Sequence, residues 1–276
     1  GIADLDLDPE ARKDFLYLLD RYRRGISKIR QWESVQTPDE NKLLPYEALI
    51  EPDRDDLHQE LSRLVVCKLN GGLGTGMGCE GPKSAVIVRG GKTFLDLIVE
   101  QLMEIGHEFN VRVPLLLMNS FYTHDETLEK IRKYQDKISI RPFRQNRFPR
   151  LLENSFLPLS HDGTGSESWY PPGHGDFYHC LYRQGLLDEL IKNGKDIVFV
   201  SNADNLGALV GPRILHHMVC NDVPFLIEMT PKTLADVKGG TLYQEDGKLR
   251  LLEIGRVPDE HIDEFSGQEK FKVFNT

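Results

Sequence analysis

From residue 61 onward, short apolar runs alternate with amphipathic stretches, and that alternation limits the fold more than any other feature of the chain. "LSRLVVCKL" ends as a buried strand, and "VPLLLM", "ISIRPF", "DIVFVSNADN" and "VPFLIEM" repeat the pattern. Between them "TFLDLIVEQLMEIG", "HDETLEKIRKYQ", "DFYHCLYRQGLLDELIKNG" and "GPRILHHMVCN" read as helices. Strands alternating with helices pair mostly in parallel, with both faces of the sheet covered. The expectation is a mixed, mostly parallel α/β sheet domain over 61–276, preceded by a helical segment over 1–60. In that segment "ARKDFLYLLDRYRRGI" sets Phe15, Leu18, Leu19 and Tyr22 on one helix face. Thr93 with Asp96 marks a helix start, and Gly106 its stop. "SAVIV" reads as a strand closed by "RGGK", and "GGTLYQEDGKLRLLEI" as a hairpin around Glu245-Asp246-Gly247.

Charge and cysteine usage exclude several classes. A formal net charge of −9 argues against a general binder of nucleic acid or anionic membranes, while a small anionic ligand responds to local field only. No run approaches the roughly 20 apolar residues of a membrane span. No apolar signal-peptide core follows the first residues. Cys67, Cys79, Cys180 and Cys220 lack CxxC spacing and are too few for a disulfide framework, so a reducing, cytoplasmic setting is expected.

The loop "CKLNGGLGTGMGCEGPKS" follows the first strand and admits three phosphate-binding readings. A P-loop fails, because Lys83-Ser84 follows Pro82 where glycine is needed. Gly76 to Gly81 spell GxGxxG, but the expected helix starts about a dozen residues too late for a dinucleotide fingerprint. The third reading is a long loop whose glycines turn N–H groups toward a phosphate and let the main chain approach a base. Lys83 then supplies the charge, as in nucleotidyltransferases. A plain surface loop is the alternative. At the end of "VFVSNADN", Asn202, Asp204 and Asn205 stand where α/β sheets bind ligands, and a carboxylate there suits Mg²⁺; taken alone, they read slightly better as ordinary turn formers and helix caps. Gly173 and Gly175 flank His174 in "WYPPGHGD", either to bring it to a ligand or as a tight turn. His174 and His179 have no third ligand at regular spacing, so zinc is rejected. His216-His217 read as surface or partly buried packing residues. "RPFRQNRFPR" reads as a solvated charged edge except for Gln145, whose amide can pair with a base edge. Met118 can pack on a flat ring, and the glycine pair in "DVKGGTLY" either admits a sugar or makes a turn.

The run Leu69-Asn70-Gly71-Gly72-Leu73-Gly74-Thr75, then Met77-Gly78-Cys79, then Gly81-Pro82-Lys83-Ser84, resembles the eukaryotic UTP–glucose-1-phosphate uridylyltransferases. "TFLDLIVEQ", "VPLLLMNSF", "RFPR", "WYPPGHGD", "FVSNADNLGA", "KTLADVKGGTL" and "LLEIGRVPDEHIDEF" resemble the family's blocks in the family's order. The resemblance implies a GT-A-like fold and a Mg²⁺-dependent reaction of UTP with glucose 1-phosphate, giving UDP-glucose and pyrophosphate. It implies that Leu69, Asn70, Gly71 and Gly72 hold the uridine and Lys83 the phosphates. Met118 and Gln145 would face the uracil beside Gly173. His174 and Asn202 would contact the sugar phosphate, Asp204 the nucleotide phosphates through Mg²⁺, and Gly240, Glu253 and Asn275 the sugar. Lys83 and Asp204 would be the catalytic pair. Gly76 stands where the family usually has Ser, and Glu80 where a neutral or basic residue is common, so Glu80 is expected to point to solvent. The family also continues through a second phosphate-contacting lysine and a C-terminal β-helix. The chain is therefore expected to be monomeric and weakened in catalysis. Other readings stay open: a UDP-sugar pyrophosphorylase of broad sugar choice, a UDP-N-acetylhexosamine pyrophosphorylase, a nucleotide-binding module without chemistry, and a dinucleotide oxidoreductase.

Overall fold

The computed structural model describes residues 5–25, 31–74, 78, 81–159, 165–233 and 239–275. Gly76 and Glu80, on which the sequence placed two departures from the family, lie outside them, so the exposure expected of Glu80 has no counterpart here. Two compact units emerge, one from residues 1–13 with 51–216 and one from 14–50 with 217–276. These bounds cut the chain differently from the 60/61 boundary read from the sequence.

The first unit is built on a four-stranded parallel sheet. Helix α1 (Pro9–Arg23), which passes to the second unit from Asp14 on, and α2 (Arg54–Arg63) precede strand β1 (Leu64–Asn70). A small hairpin, β2 (Ile87–Arg89) with β3 (Lys92–Thr93), leads into α3 (Phe94–Phe109). Then come β4 (Leu115–Asn119), α4 (His124–Ile131), β5 (Ile140–Arg144) and the short pair β6 (Phe148–Pro149) with β7 (Trp169–Tyr170). Helices α5 (Phe177–Arg183) and α6 (Leu186–Lys192) precede β8 (Ile197–Asn202), and α7 (Pro212–Cys220) follows it. The sheet order is β5-β4-β1-β8. Because every pair is parallel, all four strands deliver their carboxyl ends to one edge. Leu69 stands opposite Met118 on one side and Asn202 on the other.

Burial on both faces explains the near-continuous apolar strands. Val65, Cys67, Leu116, Met118 and Phe143 pack on Phe177, Leu181, Leu186 and Leu190 of α5 and α6. The alternate residues Leu64, Val66, Leu115 and Leu117 are also buried. Thr93 and Asp96 form the expected capping box of α3. Gly106 does not end that helix, which runs on to Phe109 and closes on Asn110 in the left-handed conformation. The stretch read as one helix over 176–194 is two, because Gly185 adopts a left-handed φ of 70° between them. In α1 only the first part of the expected face is buried: Phe15 is inside, whereas Leu18 and Tyr22 are exposed.

The second unit packs Trp32 and Val35 against Tyr243, Leu252, Val257, Phe265 and Phe271. Its hairpin, β10 (Thr241–Glu245) with β11 (Lys248–Leu252), turns at Asp246-Gly247, both at positive φ, as a two-residue turn requires. Strand β9 (Thr230–Pro231) pairs with β12 (Val273–Phe274), and α8 (Ile262–Ser266) lies between them in sequence. "VPFLIEM" is not a strand: only the two residues after it find a pairing partner, and an apolar run becomes β only where it can pair. Among the described residues no helix is long and apolar enough to cross a membrane.

Candidate active site

The glycine loop leaves β1 with its carbonyls already occupied. Leu69 O accepts from Ala203 N at 3.1 Å, and Gly72 O from Lys83 N at 3.1 Å. Between them, Asn70 O accepts from Thr123 Oγ1 and Gly71 O from Ser120 Oγ, both at 2.8 Å. Four successive acceptors are thus turned into the protein. The N–H groups of Gly71 and Gly72 have no acceptor among the described residues, so this backbone presents donors to a ligand. An isolated bridge between Leu73 and Pro82 closes the loop at its base.

Lys83 and Asp204 meet at that loop, with Nζ 2.9 Å from Oδ2. A cleft here is lined by Leu69, Asn70, Gly72, Lys83, His174, Asn202 and Asp204. The sequence-derived candidates from β1, from β8 and from the turn before α5 therefore converge. Asn70 lies in this lining, and its Nδ2 donates to Asn119 Oδ1 at 2.7 Å and Thr127 Oγ1 at 3.0 Å. Its Oδ1 is buried with no donor. A buried acceptor without a partner is costly, and a ligand N–H or hydroxyl would satisfy it. Asp204 is a half-buried hard oxygen donor beside a cationic lysine, which fits a magnesium ion shared with phosphates.

Gln145, directly after β5, is buried, and its Oε1 accepts from Gly173 N at 3.0 Å. A Cβ at Gly71 would overlap its Nε2, so the amide lies against the glycine loop and any side chain at Gly71 would push it aside. Met118 departs from expectation. Its side chain is fully buried in the cluster beneath α5 and α6 and offers no face to a ring, because its register beside Leu69 points it into the core. The arginines around Gln145 stay exposed, as a solvated edge strand demands. Gly240, Glu253 and Asn275 come together within the second unit. Asn275 N donates to Gly240 O at 2.7 Å, and a Cβ at Gly240 would lie 2.7 Å from Glu253 Oε1.

Sequence reasoning missed three parts. Ser120, Thr123 and Thr127, which hold the loop carbonyls and Asn70, were legible as a polar cluster directly after an apolar strand. Lys68 interrupts the apolar run of β1, is 2% exposed, and donates to Ser201 Oγ at 2.7 Å and Ala208 O at 3.2 Å. Burial pushes its ammonium down to about 8. It fastens β1 to the segment after β8 that carries Asp204. Asp176, read only as part of a turn, is buried and fully hydrogen bonded.

Backbone donors, a lysine–carboxylate pair and a buried amide thus stand at the carboxyl edge of a parallel sheet, the edge at which α/β proteins bind ligands. A family model described as UTP–glucose-1-phosphate uridylyltransferase matches residues 12–276. The chain belongs to that family. It is 50% identical to the UTP–glucose-1-phosphate uridylyltransferase of Hordeum vulgare over 98% of its length and 58% of the relative's. The enzyme of that name from Solanum tuberosum is also 50% identical, with 59% of it covered. Among solved structures, the UDP-glucose phosphorylase of Trypanosoma brucei superposes with a TM-score of 0.85 at 37% identity, over 98% of this chain and 58% of that one. A UDP-glucose pyrophosphorylase mutant from Leishmania major, in complex with UDP-glucose, gives 0.85 at 31% identity over 98% and 59%. The chain thus spans about three fifths of the length of the relatives it matches. The fold is the mixed α/β arrangement of these proteins.

Proposed function

We propose that the chain binds a uridine nucleotide and serves uridylyl transfer between UTP and glucose 1-phosphate, forming UDP-glucose and pyrophosphate. The observation that carries this reading is the row of four occupied carbonyls from Leu69 to Gly72, with the Gly71 and Gly72 N–H groups left without an acceptor among the described residues and Gly72 lining the cleft beside Lys83. Donor groups fixed before the ligand arrives need no reorganisation when charge develops on phosphate oxygens. A phosphate oxygen of glucose 1-phosphate attacks the α-phosphorus in line; the new P–O bond forms as the α–β bond breaks and pyrophosphate leaves with the electron pair. No covalent nucleophile is required of the protein, only positioning and positive charge.

In this reading Leu69, Asn70, Gly71 and Gly72 hold the uridine and Lys83 the phosphates, and Gln145 with Gly173 meets the base. His174 and Asn202 receive the sugar phosphate. Asp204 would hold Mg²⁺, which supplies charge neutralisation on the phosphates when bound. Gly240 and Glu253, with Asn275, offer a carboxylate and an amide suited to sugar hydroxyls. Calorimetric titration with UTP, UDP-glucose and ATP, each with Mg²⁺, tests the reading. Selective binding of the two uridine nucleotides supports it, and a folded chain that binds none of them refutes it. Binding with no pyrophosphate release from UTP and glucose 1-phosphate would restrict the chain to the nucleotide-binding module.

A further inference from the structure

Asp176 takes no part in the reading above, yet its carboxylate gathers three donors. Oδ2 accepts from Asn146 N at 2.6 Å and from the Cys180 thiol at 3.1 Å, and Oδ1 accepts from Asn146 Nδ2 at 2.8 Å. Asp176 N in turn donates to Gly173 O at 3.1 Å, and Gly173 N donates to Gln145 Oε1 at 3.0 Å. A closed ring results: Gln145 to Asn146 through the chain, Asn146 to Asp176, Asp176 to Gly173, and Gly173 back to Gln145.

We infer that Asp176 is a positioning residue for base choice, holding the Gln145 amide so that it offers the ligand a donor and never an acceptor. The reasoning is one of polarity. A backbone N–H can only donate, so the group of Gln145 facing Gly173 must be the oxygen. Turning the amide over would set NH₂ against N–H. Nε2 is left over the glycine loop, where a Cβ on Gly71 would overlap it, with no acceptor among the described residues. A pyrimidine carbonyl at C4 satisfies that donor, whereas an exocyclic amine at C4 meets it donor to donor. The ring keeps the 145–146 segment and the 173–176 turn at hydrogen-bond distance, and the carboxylate is the one member that binds both the main chain and the side chain of Asn146. The inference rests on the uridine-nucleotide reading and goes beyond it in naming what sets uracil against cytosine.

The test is calorimetric binding of UTP and CTP, with Mg²⁺, to the wild-type chain, Asp176→Ala and Asp176→Asn. The wild type should prefer UTP. Asp176→Ala should lower the UTP-to-CTP preference roughly tenfold, the scale of one well-placed hydrogen bond to a buried group. Asp176→Asn should retain most of it, because its oxygen can take the Asn146 N–H while the Asn146 amide turns to offer its own oxygen. A merely structural role would lower the melting temperature and weaken both nucleotides alike, so an unchanged ratio in folded Asp176→Ala overturns the inference. If that variant does not fold, Asn146→Ala, which removes the Oδ1 link and the Nδ2 contact with Cys180 Sγ but keeps the main-chain bond to Oδ2, carries the test with a drop of roughly threefold. An unchanged ratio there overturns it equally. A wild type that binds neither nucleotide refutes the uridine reading itself and this inference with it, and that failure is told apart because no variant is needed to see it.

Discussion

Replacing Lys68 by Met should alter the pH dependence of stability in a direction the structure fixes. The ammonium is buried in β1, and burial lowers its proton affinity from 10.5 to about 8. A group with a depressed folded pKa adds stability above its unfolded pKa and loses it as pH falls through the folded one. For Lys68 the window runs from about pH 10.5 down to about pH 8. Below it, keeping the charge inside costs the fold on the order of 3 kcal/mol, at about 1.4 kcal/mol per tenfold change in proton affinity. Met fills a similar volume with no charge, but it leaves Ser201 Oγ and Ala208 O without their donor, at about 1 kcal/mol each. Lys68→Met should therefore be about 1 kcal/mol more stable than wild type near about pH 7, and about 2 kcal/mol less stable near about pH 10.5. Urea unfolding of both proteins at several pH values across that range measures the difference directly. A difference that stays flat to within about 0.5 kcal/mol would show that the lysine is hydrated and that the argument from burial is wrong.

Other predictions follow from the same geometry. Gly71→Ala should weaken UTP binding roughly tenfold or more, because the methyl displaces Gln145 from Gly173; calorimetry showing unchanged affinity would mean the amide does not lie over the loop. Lys83→Ala should lose roughly 100-fold in turnover wherever turnover is measurable, about 3 kcal/mol of transition-state stabilisation, and near-wild-type rates would remove Lys83 from the mechanism. Burial pushes the Cys67 and Cys180 thiols up to about 12, so a maleimide at about pH 8 should label exposed Cys220 while both stay unlabelled until unfolding, as read by peptide mass spectrometry. Burial alone would raise Asp96, yet Lys133, Tyr134 and Thr93 together hold it well below the usual carboxylate range. Its stabilisation is present above about pH 4 and fades as pH falls further, so the cost of Asp96→Asn in urea unfolding should shrink in acid.

The alternation of strands and helices was legible because a parallel strand buried on both faces must be apolar nearly throughout, as β1 and β4 are. The capping box at Thr93 and the turn at Asp246-Gly247 were legible because their chemistry is local. The second unit was not, since the packing of Trp32 against Phe265 joins segments more than 200 residues apart and leaves no periodic trace. Lys83, Asp204 and His174 were legible as types suited to phosphates, and they do share one cleft. Met118 misled because its type fits a ring as well as it fits a core, and only the register decides. Asp176 acts through other residues, so no motif announces it, and the hydroxyls after β4 show in the sequence only as a polar cluster behind an apolar strand.

The crosswise row of Phe143, Met118, Leu69 and Asn202 runs from the core to the cleft and limits how the site can change over time. Neighbours in that row are far apart along the chain and adjacent only through strand pairing. Length changes in the connections would carry along Gly72, Lys83, His174 and Asp204, which sit in them, but leave this row in place. A single residue lost inside β8 does the opposite, carrying Asn202 to the other face of the sheet. Length changes are therefore compatible with the site only in connections away from those four residues, and hardly at all within the strands.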